Sequence, residues 1–277
     1  MVALITTGRN KEMDERLKHN KTMWNALTSP HVKSAFYDVA GFKVGKEWLR
    51  PLEIEEMGDV RGKSLLHLQC HFGMDTITWG RRGAKVTGVD FSDAAIKLAR
   101  SLSKETGVKA EFICSDIYKL PEVLKKKYDI VYTSGGVLCW LPDLNEWGKI
   151  IAHFLRPGGF FYIMEGHPFM NVFDNSKTAT QLNVTQSYFH KPEPTHWAPE
   201  GDYADPSFVG TQHSYEWTHS LGDVIDGLIQ AGLKIEFLHE HPMIFFKVFP
   251  FMKSDKDGWW HLEGDKIPLT FSIKATK

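Results

Sequence analysis

Ser64-Leu65-Leu66-His67-Leu68-Gln69-Cys70-His71-Phe72-Gly73, followed by Val86-Thr87-Gly88-Val89-Asp90, decides the fold. Both are short apolar runs that end in turn residues, so both read as buried strands. Between them Asp75 to Arg82 is helix-forming and closes at Gly83, a residue type favoured just past a helix C-terminus. The alternation continues outward. Asp93 to Arg100 opens a helix that Gly107 ends, Ala110 to Cys114 reads as a third strand, and Tyr128 to Thr133 as a fourth. Trp147, Ile150, Ile151, Phe154 and Leu155 fall on one helical stripe, broken at Arg156-Pro157-Gly158-Gly159, and Phe160 to Glu165 is a fifth strand. Apolar strands alternating with helices predict parallel βαβ units, an α/β doubly wound sheet with helices on both faces.

The flanks are less periodic. Residues 1–60 are polar and helix-prone and predict one to three short helices forming an N-terminal cap. Residues 166–217 hold five prolines, Pro206 among them, and many aromatics, and read as a lid inserted into a main domain of residues 61–277. Ser220 with Asp223 predicts an N-cap, Leu221, Val224, Ile225, Leu228 and Ile229 a helix, and Leu233–His239 and Leu269–Ala275 the last strands. Pro242–Pro268 reads as an aromatic loop.

Composition narrows the function. Lys plus Arg is 33 against 34 for Asp plus Glu in 277 residues, a formal charge of −1, without the basic surplus that nucleic-acid binding exploits. With 42% hydrophobic and 24% charged residues the chain is an ordinary globular one. No apolar run reaches the ~18 residues of a membrane helix, and the N-terminus turns charged too early for a secretory signal. Three scattered cysteines, Cys70, Cys114 and Cys139, exclude a disulfide scaffold, so a cytoplasmic protein is expected. The tightest histidine groups, His67-Cys70-His71 and His239/His241, lack zinc-site organisation, and no metal is expected.

In an open doubly wound sheet, ligands bind outside the carboxyl ends of the strands. The first predicted strand runs into Gln69–Gly73, the second ends in Asp90, the third runs into Ser115-Asp116, and the fourth into Ser134-Gly135-Gly136. An acid after strand two can accept both hydroxyls of an adenosine ribose, and one after strand three can accept from an adenine amino group. Small residues after strand four let a ligand approach the backbone. Together they describe an adenosine-bearing cofactor.

On LLHLQCHFG, VTGVD, the Ser-Asp after strand three, YDIVYTSGGVL and FLRPGGFFYIME, the chain resembles the class I S-adenosylmethionine-dependent methyltransferases of small-molecule type. The resemblance covers about residues 60–165 plus the final helix and strands. It implies a Rossmann-like, seven-stranded, mostly parallel sheet whose last strand is antiparallel, with S-adenosyl-L-methionine as cofactor. It also implies roles. Gly73 and the backbone of Leu68, Gln69, Cys70, His71 and Phe72 would meet the methionine part. Asp90 would hold the ribose with Phe91 beside the adenine. Ser115, Asp116 and Ile117 would surround the adenine amino group, and Ser134 and Gly135 the amino-acid end. One departure stands out: the family turn is acid-x-Gly-x-Gly-x-Gly, whereas this chain has His67, Gln69, His71 and Gly73.

Transfer of an activated methyl group needs mainly alignment and exclusion of water. Lid aromatics such as Phe169, Tyr188 and Trp197 suit that, and can face a cation. His167, just after strand five, is the best-placed candidate base, and Tyr37, in FYDVAGF, is a candidate to reach the site from the cap. Two rival readings are a non-catalytic cofactor-binding module and a nicotinamide oxidoreductase. The latter wants Gly-x-Gly-x-x-Gly where Gln69–Gly73 supplies one glycine. The acceptor and the oligomeric state are not written in the sequence.

Overall fold

The computed structural model describes residues 2–199, 201–205 and 208–277, without the side chains of 2–12 and 14; Met1, Glu200, Pro206 and Ser207, with the lid's Pro206 among them, lie outside the described residues. In chain order the strands are β1 (Ser64–Leu68), β2 (Lys85–Asp90), β3 (Ala110–Cys114), β4 (Tyr128–Thr133), β5 (Leu155–Gly166), β6 (Thr195–Trp197), β7 (Ser214–Glu216), β8 (Lys234–His241), β9 (Met243–Ile244), β10 (Lys253–Ser254), β11 (Trp260–His261) and β12 (Thr270–Thr276). The helices are α1 (Val2–Lys33), α2 (Val39–Lys43), α3 (Pro51–Met57), α4 (Met74–Arg81), α5 (Asp93–Thr106), α6 (Leu120–Val123), α7 (Leu144–Phe154) and α8 (Leu221–Gln230). Seven strands follow the order β3-β2-β1-β4-β5-β12-β8, the mostly parallel arrangement that the alternation and the resemblance predict.

The chain divides into two compact units. The first holds the residues up to Leu124 together with Pro194–Glu216. Its β1, β2 and β3 pair in parallel, Leu68 opposite Val89 and Asp90 opposite Cys114. All of β1 is buried because both its faces are covered, which is why it reads as a continuous apolar run rather than an alternation. Helix α5 starts where the Ser92 hydroxyl accepts the Ala95 N–H at 3.1 Å, and stops at Gly107, whose φ of 70° is left-handed. Its Ala95, Ile96, Ala99 and Leu102 pack with Phe72 and Phe112 into the core of this unit.

The second unit holds Lys125–Glu193 and Trp217–Lys277. Here β4 and β5 are parallel, while β12 runs antiparallel to both β5 and β8. Trp147 on α7 is fully buried, edge-on to Phe161 at 5.4 Å between ring centres. Helices α7 and α8 meet through glycines: a Cβ on Gly148 would lie 2.1 Å from the Gly227 carbonyl oxygen, and one on Gly227 2.6 Å from that of Leu144.

Three expectations change. The N-terminal segment contains two short helices, α2 and α3, but its first helix is one rod of 32 residues that carries Pro30 in its last turn, where the proline interrupts little. Pro242–Pro268 is not all loop. It forms a small sheet, β10-β11-β9, whose two-residue strands are too short to show a period. The 166–217 segment is shared between the units, and within it β6 pairs antiparallel with β7. Among the described residues, no helix is long and apolar enough to cross a membrane.

The contact of α7 with α8 yields a prediction. Gly148→Ala forces a methyl group into the Gly227 backbone, and overpacking of this kind costs about 2–3 kcal/mol. A lowered midpoint in urea denaturation is the expected result.

Candidate active site

Parallel register brings the carboxyl ends of β1, β2 and β3 to one edge of the first unit. Asp90 closes β2 with its carboxylate 7% exposed. Its Oδ2 accepts the His71 N–H and its Oδ1 the Ser92 N–H, both at 2.8 Å. Burial raises its pKa to about 6, against the pull of the N–H groups of Ser92, His71 and Phe91. Each oxygen has a second acceptor site beyond the N–H it takes. Asp116 lies two residues past the register partner of Asp90; its Oδ1 accepts the Tyr118 N–H at 2.9 Å. The Ser115 N–H donates to the Asp90 carbonyl at 2.9 Å, and the Ser115 hydroxyl to the Asp116 carbonyl at 2.9 Å. Ile117 is buried beside them and Phe91 is half-buried.

The turn after β1 resolves the departure noted in the sequence. Gln69, His71 and Gly73 have φ of 56°, 49° and 80°, so all three are left-handed. Residues with side chains hold, at 69 and 71, the conformation that glycine adopts freely, at a strain of order 1 kcal/mol each. Only at Gly73 would a Cβ also collide, 2.6 Å from the Phe112 ring, so the one retained glycine is the one that packing requires. Leu68, Cys70 and Phe72 point into the core. His67, where the resemblance expects an acid, is fully buried, with Nδ1 2.8 Å from the Thr76 hydroxyl. Burial pushes its pKa down to about 3, so it stays neutral.

Helix α1 is pinned to this unit by polar side chains. Asn20 donates from Nδ2 to the Tyr215 carbonyl at 2.7 Å and accepts the Tyr215 N–H at 2.8 Å, as a neighbouring strand would. Asn25 Oδ1 accepts the Ser92 hydroxyl at 2.6 Å and the Ala94 N–H at 3.2 Å. His31, fully buried, places Nδ1 3.0 Å from His71 Nε2 and Nε2 3.0 Å from Asp202 Oδ1. Tyr37 stacks between Trp48 and His31, with ring centres 5.5 and 5.3 Å away, and its hydroxyl is hydrogen-bonded to that of Tyr203. Burial drives the Tyr37 phenol well above its usual pKa. His31 and Asp202 are absent from the sequence-based candidates. A signal for His31 existed: Asn20, Trp24, Thr28 and His31 recur at helical spacing.

In the second unit, Ser134, Gly135 and Gly136 follow β4. A Cβ on Gly135 would lie 2.5 Å from the Phe245 ring, and Gly136 is left-handed at a φ of 83°. Glu165, buried at the end of β5, organises this loop. It accepts the N–H groups of Val137 at 2.8 Å, Leu138 at 3.3 Å and Gly166 at 2.8 Å, and also that of Gly136. Burial raises its pKa and these N–H groups oppose the rise. His167 caps the next turn: Nδ1 accepts the Phe169 N–H at 3.1 Å, which leaves Nε2–H to donate to Glu240 at 2.8 Å. Both ring nitrogens are thereby occupied, and burial lowers its pKa. The aromatics Phe169, Phe173 and Tyr188 pack edge to face near that turn.

Residues 65–159 match the profile of a methyltransferase domain. The chain is 32% identical over 124 residues to a ubiquinone biosynthesis O-methyltransferase of Bordetella avium, an alignment covering 44% of this chain and 49% of that one. It is 26% identical over 216 residues to a protein of the same description from Serratia proteamaculans, covering 76% and 82%. The chain thus spans about half the length of the first of these relatives and more of the second. Its fold is similar to a solved structure described as a putative S-adenosylmethionine-dependent methyltransferase from Listeria monocytogenes, with a TM-score of 0.59, 18% identity, and coverage of 86% of this chain and 99% of that one.

Glu165→Ala leaves the N–H groups of Gly136, Val137, Leu138 and Gly166 without their acceptor and is expected to cost about 3 kcal/mol. Glu165→Gln, which keeps one acceptor oxygen, is expected to lose about half as much. Equilibrium denaturation of the two variants checks the order.

Proposed function

From the premise that this chain carries an S-adenosylmethionine-dependent methyltransferase domain, we propose that it transfers the cofactor's methyl group to a small-molecule acceptor in a cytosolic setting. The observation that carries this reading is the Asp90 carboxylate, fixed at the end of β2 by one N–H on each oxygen, beside a turn of three left-handed residues. A buried acid with acceptor sites to spare fits a ribose diol, and a left-handed turn beside it, with Gln69 and His71 half-buried, fits the close approach of a ligand tail.

S-adenosylmethionine supplies, when bound, a methyl group already activated on a positively charged sulfur. The residues of this chain do the rest. Asp90 accepts the ribose hydroxyls. Asp116 accepts from the adenine amino group, with Ser115, Ile117 and Phe91 around the base. The backbone of Leu68 to Gly73 seats the methionine part, and Ser134 and Gly135 flank the amino-acid end. Tyr37, stacked on Trp48 and kept protonated by its burial, is assigned to the pocket wall, where it excludes water and offers a π-face to a cation. His167, with both nitrogens committed, is assigned to turn capping rather than proton abstraction. Alignment and desolvation then carry most of the acceleration.

Calorimetric titration with S-adenosylmethionine and S-adenosylhomocysteine, followed by an assay of S-adenosylhomocysteine release over a panel of phenolic, amine and thiol acceptors, tests the proposal. Tight binding without product from any acceptor would leave a cofactor-binding module.

Two outcomes are specific to Asp90. Asp90→Ala is expected to weaken S-adenosylhomocysteine binding by at least about tenfold, in keeping with the loss of charge-assisted hydrogen bonds. The pKa of about 6 sets the pH dependence. The ribose needs the ionised acceptor, so affinity is flat above about pH 6 and falls by up to about tenfold per unit below it. The sign for folding is opposite. A carboxyl whose folded pKa lies above its unfolded value contributes stability that is complete below about pH 4 and is lost as the pH rises through about 6. Parallel binding and denaturation series between pH 4.5 and 8 separate the two trends.

A further inference from the structure

Asp202, His31 and His71 form a hydrogen-bonded line that the function above does not use, and its last member sits in the turn assigned to the methionine part. Asp202 Oδ1 accepts the N–H groups of Ala204 at 2.8 Å and Asp205 at 3.3 Å, so this oxygen is an acceptor. The His31 nitrogen facing it, 3.0 Å away, is therefore the protonated one, Nε2–H. His31 Nδ1 lies 3.0 Å from His71 Nε2, and one of the two tautomers open to this contact has the His71 Nε2–H donating to His31 Nδ1. The remaining atom, His71 Nδ1, is then an acceptor, and among the described residues it has no hydrogen-bond partner. The ring is packed against Trp24, Tyr37 and Phe72, with centres 5.2, 5.8 and 4.3 Å away, and it is only partly buried. Burial holds its pKa well below the usual value.

A methionine tail brings an ammonium, charged at neutral pH, into this turn, whose first position is the neutral His67 rather than an acid. We infer that His71 Nδ1 is the acceptor for the α-ammonium of the bound cofactor, and that His31 and Asp202 are positioning residues which fix the His71 tautomer and place a carboxylate charge behind it. This rests on the reading of Leu68–Gly73 as the seat of the methionine part. No proton need move. The ammonium gains an acceptor joined through two hydrogen bonds to Asp202.

Asp202→Asn is a clean probe, because His31, Ala204 and Asp205 all donate to the same oxygen, Oδ1, which asparagine retains. His71→Asn is the second variant. Asparagine tolerates the left-handed φ of 49° and cannot reach His31 as the imidazole does. Three thioether probes are titrated into each protein: S-adenosylhomocysteine, its decarboxylated analogue that keeps the amine, and 5′-methylthioadenosine, which has neither group. Both variants are expected to bind the two amine-bearing probes about tenfold more weakly and 5′-methylthioadenosine as the parent does. The unchanged probe also reports that the nucleoside site has folded. An equal loss for all three probes would make the line merely structural and overturn the inference. So would unchanged binding of S-adenosylhomocysteine, or a loss confined to the probe with the carboxylate. If the parent protein binds none of the three, the cofactor reading fails, and this inference with it.

Discussion

The buried carboxylate of Asp90 is the constraint on which the rest of the first unit depends. It joins the end of one strand to the turn that follows its neighbour, through the His71 N–H, and to the start of the next helix, through the Ser92 N–H. That geometry has a conformational requirement. For its N–H to meet Asp90, His71 adopts a left-handed φ. Two charge-assisted hydrogen bonds, each of about 1.5–3 kcal/mol, outweigh the strain of order 1 kcal/mol at each of Gln69 and His71. The backbone of the turn is thus held by the acid opposite it as well as by its own residue types, which is how it tolerates side chains at 69 and 71.

Helix α1 is held to the same unit by a different kind of contact. The segment from Lys11 to Lys21 is mostly polar and could not bury a broad apolar face. Asn20, Asn25 and His31 instead make directional bonds to a strand, a helix N-terminus and the turn after β1. Such bonds fix register rather than adding much net stability, since each replaces bonds to water. A cap attached in this way sets where Tyr37 and its stacked partner Trp48 stand.

How much of this was legible in the sequence follows from the range of the forces involved. The alternation of β1, α4, β2, α5 and β3 is local periodicity, and the residues at 64–114 announced it within a residue or two. Asp90 and Asp116 were legible because the rule about strand ends converts topology into position. The length of α1 was not, because glycines and aromatics downstream of it suggested earlier breaks. The strands β9, β10 and β11 were not, because two residues carry no period. The pairing of His31 with Asp202 spans 171 residues and could not be read at all from one sequence. His167 was legible only in part, for a related reason. Its place at the edge of the sheet was legible, but its two partners, the Phe169 N–H and Glu240, were not.

The turn after β1 shows what is exchanged when glycines are replaced by larger residues. A glycine offers a ligand only its N–H and carbonyl, and reaches a left-handed φ without strain. Histidine at 71 carries strain but adds an imidazole, and an imidazole can be connected to something distant. Here it is connected through His31 to Asp202, so a carboxyl group far along the chain is linked to a turn whose own first position is a neutral histidine. The neutral histidine at 67 and the ring at 71 thus stand in one turn, the first held in the core beside Thr76 and the second tied to the cap through His31.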